Sequence, residues 1–205
     1  MEPIAFNAGD FDVFRIPDFS ERMSQIRGRV RPKLEALGTA LAPSLSSIIG
    51  SPVFAHVAKH ARRTVNPPGD TWVAFCTDRR GYKKHPHFKI AISQSCIRLL
   101  YELGPEFGDK KRCAELWKKK AGGFIPKGKF VWFRNEHDEE AAGRLSILSG
   151  DRLEELAESL TKRRDGQIVL GKLVPKETAL RWTSQNYHRE ALKTFKAFQG
   201  LYTLH

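Results

Sequence analysis

Cysteine is scarce in this chain of 205 residues: there are three, Cys76, Cys96 and Cys113. Their number is odd and no Cys-x-x-Cys pair occurs, which excludes a disulfide frame and a zinc ribbon and suits reduced, buried thiols in a cytoplasmic protein. No long apolar run is present either. Residues 37 to 58 lack formal charge, but Gly38, Pro43, Gly50 and Pro52 interrupt them, so short buried helices are expected instead of a membrane span. The first residues carry Glu2, Asp10 and Asp12 where a secretory signal needs a basic start, so export is not expected. Also missing are the G-x-x-x-x-G-K-[ST] phosphate loop, the G-x-G-x-x-G fingerprint, the H-E-x-x-H metal helix and the G-x-S-x-G elbow. Neither a cofactor nor a metal is expected, and no internal repeat or low-complexity tract appears.

What is present is an ordinary core and an excess of cations. Hydrophobic residues make up 40% and aromatics 10%, enough for one domain spanning 1–205. Thirty-five Lys and Arg against 23 Asp and Glu leave a net charge of +12. The excess is concentrated in residues 27–33, 59–89 and 110–129, where the acids are Asp70, Asp78 and Glu115 and the remainder of the chain is net acidic. Charge so segregated along the sequence points to a basic face and a phosphate-bearing polyanion, RNA or DNA, as partner.

Periodicity sketches the elements. Residues 10–16 alternate well enough for a short first strand. Met23, Ile26, Val30, Leu34, Leu37 and Leu41 recur at steps of three and four, a helical stripe with Ser20 as cap and a kink or fresh start at Pro32. On that helix Arg22, Arg29 and Lys33 should face solvent or a ligand. Short helices follow at 44–50 and at 52–62, the latter with Ser51 as cap, then a turn at 66–70. Residues 71–77, 87–93 and 97–103 read as three strands of an antiparallel meander. A helix at 109–120 follows, then a strand at 130–134, a helix headed by a capping box of Asp151 and Glu154, a strand at 167–174, and a last helix with Tyr187, Ala191, Phe195, Phe198 and Tyr202 on one side. The acidic run Glu136 to Glu140 should start a helix capped by Asp138, and Trp72, Trp132 and Trp182 should be core. The fold class is α+β, a mostly antiparallel sheet with helices packed against it.

The segments RPKLEALG at 31–38, HVAKHARR at 56–63, NPP with DTWVAF at 66–75, and RGYKK with PHF at 80–88 resemble the YktB-like proteins, a family of small cytosolic bacterial proteins. The resemblance implies a compact α+β fold and transfers no mechanism.

Chemistry concentrates in those same segments. His56 and His60 stand four apart, which on a helix would put both rings on one side, and His85 and His87 follow. No nearby carboxylate completes a zinc set, so a metal is not assigned. Arg62 and Arg63 would end a helix at its favourable pole. Arg79, Arg80, Tyr82, Lys83 and Lys84 tip the loop between two strands, where they could hold phosphates while Tyr82 stacks on a base. Two other readings stand beside polyanion binding. One is an enzyme on a small phosphorylated or anionic substrate, with His60 and His87 as acid–base and Arg62, Arg63 and Lys84 as anion clamp. The other is an interaction module for an acidic protein, which requires an exposed apolar patch beside the cations.

Overall fold

In the computed structural model, which describes residues 4–126, 128–145 and 150–204, the chain opens on a helix where a strand was expected. Phe11 and Phe14 are spaced by three, a helical step, and the Asn7 amide donates to the Asp10 carboxylate at 2.7 Å. Helix α1 (Ala8–Asp12) runs into a tight turn at Val13–Arg15 that buries Val13 and Phe14. Next comes α2 (Phe19–Gln25), capped by Asp18, not Ser20: the Asp18 carboxylate accepts from the Glu21 amide at 2.8 Å. A π-helical turn, Ile26–Val30, separates it from α3 (Arg31–Ile49). The wider turn falls where Pro32 cannot donate to the preceding turn, so the proline starts a helix as the sequence suggested. All six members of the expected stripe are buried. Lys33 does not face solvent but is buried on Asp10 at 2.5 Å, and Arg22 donates to the carbonyls of Ile16 and Pro68, pinning the 66–70 turn.

Helix α3 continues through Pro43 to Ile49 and stops at Gly50, whose φ of 77° is the left-handed conformation glycine takes without strain. The helix expected at 52–62 is absent. Phe54–Val57 instead form β1, paired with β2 (Asp70–Cys76), so sheet pairing overrides the four-residue histidine spacing. The remaining strands are β3 (His87–Ser93), β4 (Cys96–Leu103), β5 (Val131–Phe133), β6 (Gly143–Arg144) and β7 (Ile168–Pro175). They form a seven-stranded antiparallel sheet of order β1-β2-β3-β4-β7-β5-β6, with the meander β2-β3-β4 as its centre.

Alternation along these strands builds two faces. Val73, Phe75, Phe88, Ile90, Ile92, Leu99 and Tyr101 point into the core. The remaining helices are α4 (Lys110–Lys120), α5 (Gly150–Lys162), α6 (Lys176–Ala179), α7 (Ser184–Ala197) and α8 (Gln199–Tyr202). Phe88 stacks on Phe195 of α7 and on Tyr202 of α8, with centroids 4.8 and 4.9 Å apart. Helix α3 lies so close to β1 that a β-carbon on Gly38 would stand 2.9 Å from that of Ala55. Asp151 lies within the first turn of α5, so it does not head a capping box; residues 146–149 lie outside the described residues. Among the described residues no helix is long and apolar enough to cross a membrane. The three cysteines are free and buried.

The opposite face carries a small apolar cluster of Leu100, Phe133 and Val169, and beside it a patch that is polar and yet closed. Arg98 of β4 reaches across it to donate to the carbonyls of Glu136 and Asp138 at 2.7 and 3.0 Å, drawing residues 134–142 over the sheet. The acidic run is therefore a folded loop, not a helix start. The Asp138 carboxylate accepts from the amides of Arg134 and Asn135, an Asx-type turn that competes with helix formation.

Candidate functional site

Strand register assembles this closed face. Lys89 lies opposite Ala74 on one side and Leu100 on the other, and Ala91 stands between Trp72 and Arg98. His87 faces Glu102 directly, a cross-strand pair. The small residues Ala74 and Ala91 clear room for the long side chains. On β7, Gly171 serves a related end, because a β-carbon there would run into the Leu99 carbonyl.

The result is a buried ionic cluster. Lys89 is fully buried and bonds the carboxylates of Glu102 and Glu136; its ammonium lies 4.6 Å from the centre of the Trp72 ring. Burial by itself would lower the Lys89 pKa, but the two carboxylates outweigh it and hold the group at about 12. Burial would likewise raise Glu102, and the Lys89 charge with the His87 hydrogen bond instead keeps it well below the usual carboxylate range. Asp70, also buried, bridges Arg98 and His137. Against the cost of burial, the His137 hydrogen bond at 3.0 Å and the Arg98 charge hold it at about 2. That hydrogen bond raises the pKa of His137, whose ring remains half-exposed.

Trp72 and Tyr82 form the wall over this cluster. The Trp72 indole N–H donates to the Tyr82 hydroxyl at 2.8 Å, while His60 packs edge-on against Trp72 at 5.3 Å and His137 tilts against it at 5.9 Å. Tyr82 packs edge-on against His87 at 4.8 Å. Tyr82 is thus turned inward, and the expectation of an aromatic presented to solvent at the loop tip does not hold. Trp72 is likewise a wall of this polar face, not part of the main core.

Two hollows meet at Tyr82. A pocket of ≈ 190 Å³ is lined by Trp72, Tyr82, His87, Glu102, Glu136 and His137, with Arg63 and Lys83 at its edge. On the other side a groove of ≈ 1210 Å³ takes in Arg31 from α3, Lys59 from the segment after β1, and Arg80, Lys83 and Lys84 from the β2–β3 loop, with His56 and His85. Cations from two of the three basic stretches therefore converge. From the third, Arg112 joins Lys84 in a neighbouring hollow of ≈ 340 Å³, whereas Lys118 pairs with Glu158 on α5 at 3.0 Å and Lys127 lies outside the described residues. Groove cations have partners too: Arg31 meets Glu35 at 2.8 Å, Lys83 meets Glu106 at 2.8 Å and Arg80 stands 3.7 Å from Asp78.

The expected site residues thus divide. Arg80, Tyr82, Lys83 and Lys84 line the groove, and Arg63, Tyr82, Lys83 and His87 line the pocket. Arg62 and Arg79 are exposed beside them. Arg62 and Arg63 follow a strand and a turn, so no helix end explains them. His60 adopts a φ of 51°, donates or accepts at the Thr71 hydroxyl at 3.0 Å, and is pushed down to about 4 by burial. Asp70, Trp72, Lys89, Arg98, Glu102, Glu136 and His137 were not expected at a site. The signal for three of them lay in the alternation that sets Lys89, Arg98 and Glu102 on the same face of adjacent strands as the expected His87. Among the described residues no group of three or more His, Cys, Asp or Glu is placed to hold a metal ion.

A single antiparallel sheet, with helices α3, α7 and α8 on one face and a charged, loop-covered pocket on the other, defines an α+β fold. The family model described as a domain of unknown function, DUF1054, matches residues 6–202. A UPF0637 protein of Bacillus licheniformis is 36% identical over 207 residues, covering 100% of this chain and 97% of the relative. Similar proteins in Lysinibacillus sphaericus (35% over 211 residues, 100% and 97% covered) and Macrococcus caseolyticus (31% over 202 residues, 98% and 100% covered) bear the same designation. The chain belongs to this family, and the resemblance carried by its motifs is shown.

Two stability experiments follow from the cluster. Glu102→Leu leaves Lys89 and His87 facing an apolar side chain and is expected to cost about 3–5 kcal/mol in urea unfolding; adding Lys89→Met should restore most of that loss, since the only carboxylate then left without the lysine is that of Glu136, which water reaches. A double variant as unstable as the single would contradict the pairing. For pH, folding disfavours the protonated form of His60, which is held at about 4 against an ordinary 6.5. The unfolded chain therefore takes up that proton first, and stability present above pH ~6.5 is lost as pH falls towards about 4, by up to ~3 kcal/mol. Asp70, depressed to about 2, adds a second loss below its unfolded value of ~3.9. His137 acts in the opposite sense: its contribution is complete below pH ~6.5 and lost as pH rises through its raised value. The urea midpoint should fall in two stages on acidification, and His60→Asn, which tolerates the left-handed backbone, should remove only the first.

Proposed function

We propose that this protein binds a phosphate-bearing polyanion, single-stranded nucleic acid, along the groove beside Tyr82. The observation that carries this reading is the convergence of Arg31, Lys59, Arg80, Lys83 and Lys84 on one open groove from three separate segments. Their carboxylate partners do not oppose it. The Arg80 and Lys83 side chains are 92% and 51% exposed, and ion pairs at such sites contribute little, so phosphates can replace Asp78 and Glu106 as partners. Guanidinium forks on Arg31 and Arg80 suit phosphate oxygens, and Lys59 and Lys84 add charge. A docking module for an acidic protein fits less well, because the exposed large apolar side chains, among the described residues, are Val65, Phe124 and Leu180 in three different segments.

A second reading, an enzyme on a small anionic substrate, is favoured by one observation, the Asp70–His137 pair at the pocket. Asp70 fixes the imidazole by Nδ1, and Nε2, which stands 3.9 Å from the Glu136 carboxylate and beyond hydrogen-bond reach of it, is left for a substrate proton, the arrangement of an oriented general base. His60 packs instead on Trp72 and His87 on Tyr82, bonded to Thr71 and Glu102, and of the two only His87 lines the pocket. Turnover of small phosphoesters should then rise with pH through the raised pKa of His137 and vanish in His137→Gln; absence of turnover at every pH removes this reading.

Nucleic-acid binding is tested by salt. With about five phosphates engaged, log K against log salt should slope by roughly −3.5 on a single strand. Lys59→Ala/Arg80→Ala/Lys84→Ala should flatten the slope by about 2 with an unchanged unfolding midpoint. Affinity that does not move between low and moderate salt contradicts the proposal.

A further inference from the structure

We infer that the pocket on the far side of Tyr82 receives one unpaired base of the strand whose phosphates occupy the groove. This rests on the polyanion reading and adds to it a base-binding subsite with a chemical preference.

Size comes first. At ≈ 190 Å³ the pocket holds about six waters at roughly 30 Å³ each, which suits one ring system and is below the span typical of larger ligands. Continuity comes next. Tyr82, Lys83 and Glu106 line both hollows, so a chain with phosphates at Lys83 and Lys84 passes the pocket mouth without crossing the sheet. The walls are aromatic: Trp72 is held by its hydrogen bond to Tyr82 and by the rings of His60 and His137, a platform whose orientation is set before any ligand arrives. A fixed indole accepts any base by stacking, and the tyrosine hydroxyl is already used as an acceptor.

The polar groups then decide which base. Glu102 and Glu136 line the pocket, and ionised carboxylates only accept hydrogen bonds. Both carboxylates hold Lys89, but Glu102 is buried and also bonded to His87, whereas Glu136 gives one oxygen to Lys89 and its side chain is 23% exposed, so Glu136 is the one with lone pairs that a ligand can reach. An acceptor pair of this kind favours a base edge with adjacent donors. Guanine offers a ring N–H beside an exocyclic amino group, matching both oxygens of one carboxylate. Thymine and uracil place their single N–H between two carbonyls, which would face Glu136 with like partial charge. The subsite should therefore rank guanine above thymine.

The test uses the full chain and fluorescein-labelled thymidine heptamers that differ at the central position, dG, dT or an abasic residue, read by anisotropy at fixed low salt. The dG strand should bind about tenfold more tightly than the abasic strand, within the range that one stacked base contributes, with dT between them. Trp72→Ala should bring dG and abasic within twofold while the salt slope stays that of the parent; Trp72→Phe, which keeps a ring and the packing, should retain most of the difference. Glu136→Gln should remove the dG preference over dT and leave the advantage of both over the abasic strand. Equal binding of dG and abasic strands by the parent, with the steep salt slope intact, overturns the base pocket and leaves the groove standing. Absence of salt-dependent binding to every strand overturns both.

Discussion

A lysine ammonium buried on the face of a sheet sets the terms for the rest of this protein. Lys89 sits in the middle of β3, between Ala74 and Leu100, with no route to solvent. An ion in that position costs several kcal/mol unless it is paired and hydrogen-bonded. Glu102, two residues along from Leu100 on the neighbouring strand, supplies one carboxylate; the second, Glu136, has to come from outside the sheet. Fixing Glu136 fixes its loop, and Arg98 completes the clamp by holding the carbonyls on either side of His137. His137 is thereby delivered to Asp70. One buried charge thus accounts for the loop, the Asp70–His137 pair and the floor of the pocket.

Such a cluster is weak evidence for stability, since apolar residues of similar volume can replace buried ion pairs with little loss or with gain. Its value here is orientation. Polar groups that are fully paired allow few alternative packings, and the Trp72 ring rests on them: Lys89 over the ring, His60 and His137 packed against it, Tyr82 at its N–H. Tyr82 in turn separates pocket from groove. The order of dependence therefore runs from the buried ions to the aromatic wall and only then to the exposed cations.

Much of the fold was legible because local rules and tertiary packing agree. The stripe from Met23 to Leu41, the meander of β2, β3 and β4, and the start at Pro32 follow from periodicity and proline chemistry alone. Where they disagreed, sequence reasoning failed in definable ways. Phe11 and Phe14 satisfy both a loose strand and a helix, and the Asn7 cap settles it as a helix. Phe54 to Val57 have no strong local signal; the open edge of β2 makes them a strand. The basic loop was legible as charge, yet the direction of Tyr82 depends on Trp72, ten residues away. The ionic face was least legible. Alternation of His87 and Lys89 against apolar neighbours is the same pattern a solvent-facing strand shows, and what closes this face lies nearly fifty residues further along, at Glu136.

Burial also divides the cations by what they can do. Lys33, Lys89 and Arg98 are committed to Asp10, Glu102 with Glu136, and Asp70, and releasing any of them would strand a charge inside the protein. Arg80 and Lys83 have partners at the surface, where water and salt already weaken the attraction and exchange for a phosphate costs little. Net charge overstates the binding face for this reason: a positive sum includes ions that no ligand can reach. What remains is a short track of cations beside an aromatic wall. Such a track supplies attraction without sequence information, because every nucleotide carries the same phosphate. Under the proposed nucleic-acid reading, discrimination falls to a surface that can touch a base, and beside this track the pocket lined by Trp72 and Glu136 is such a surface.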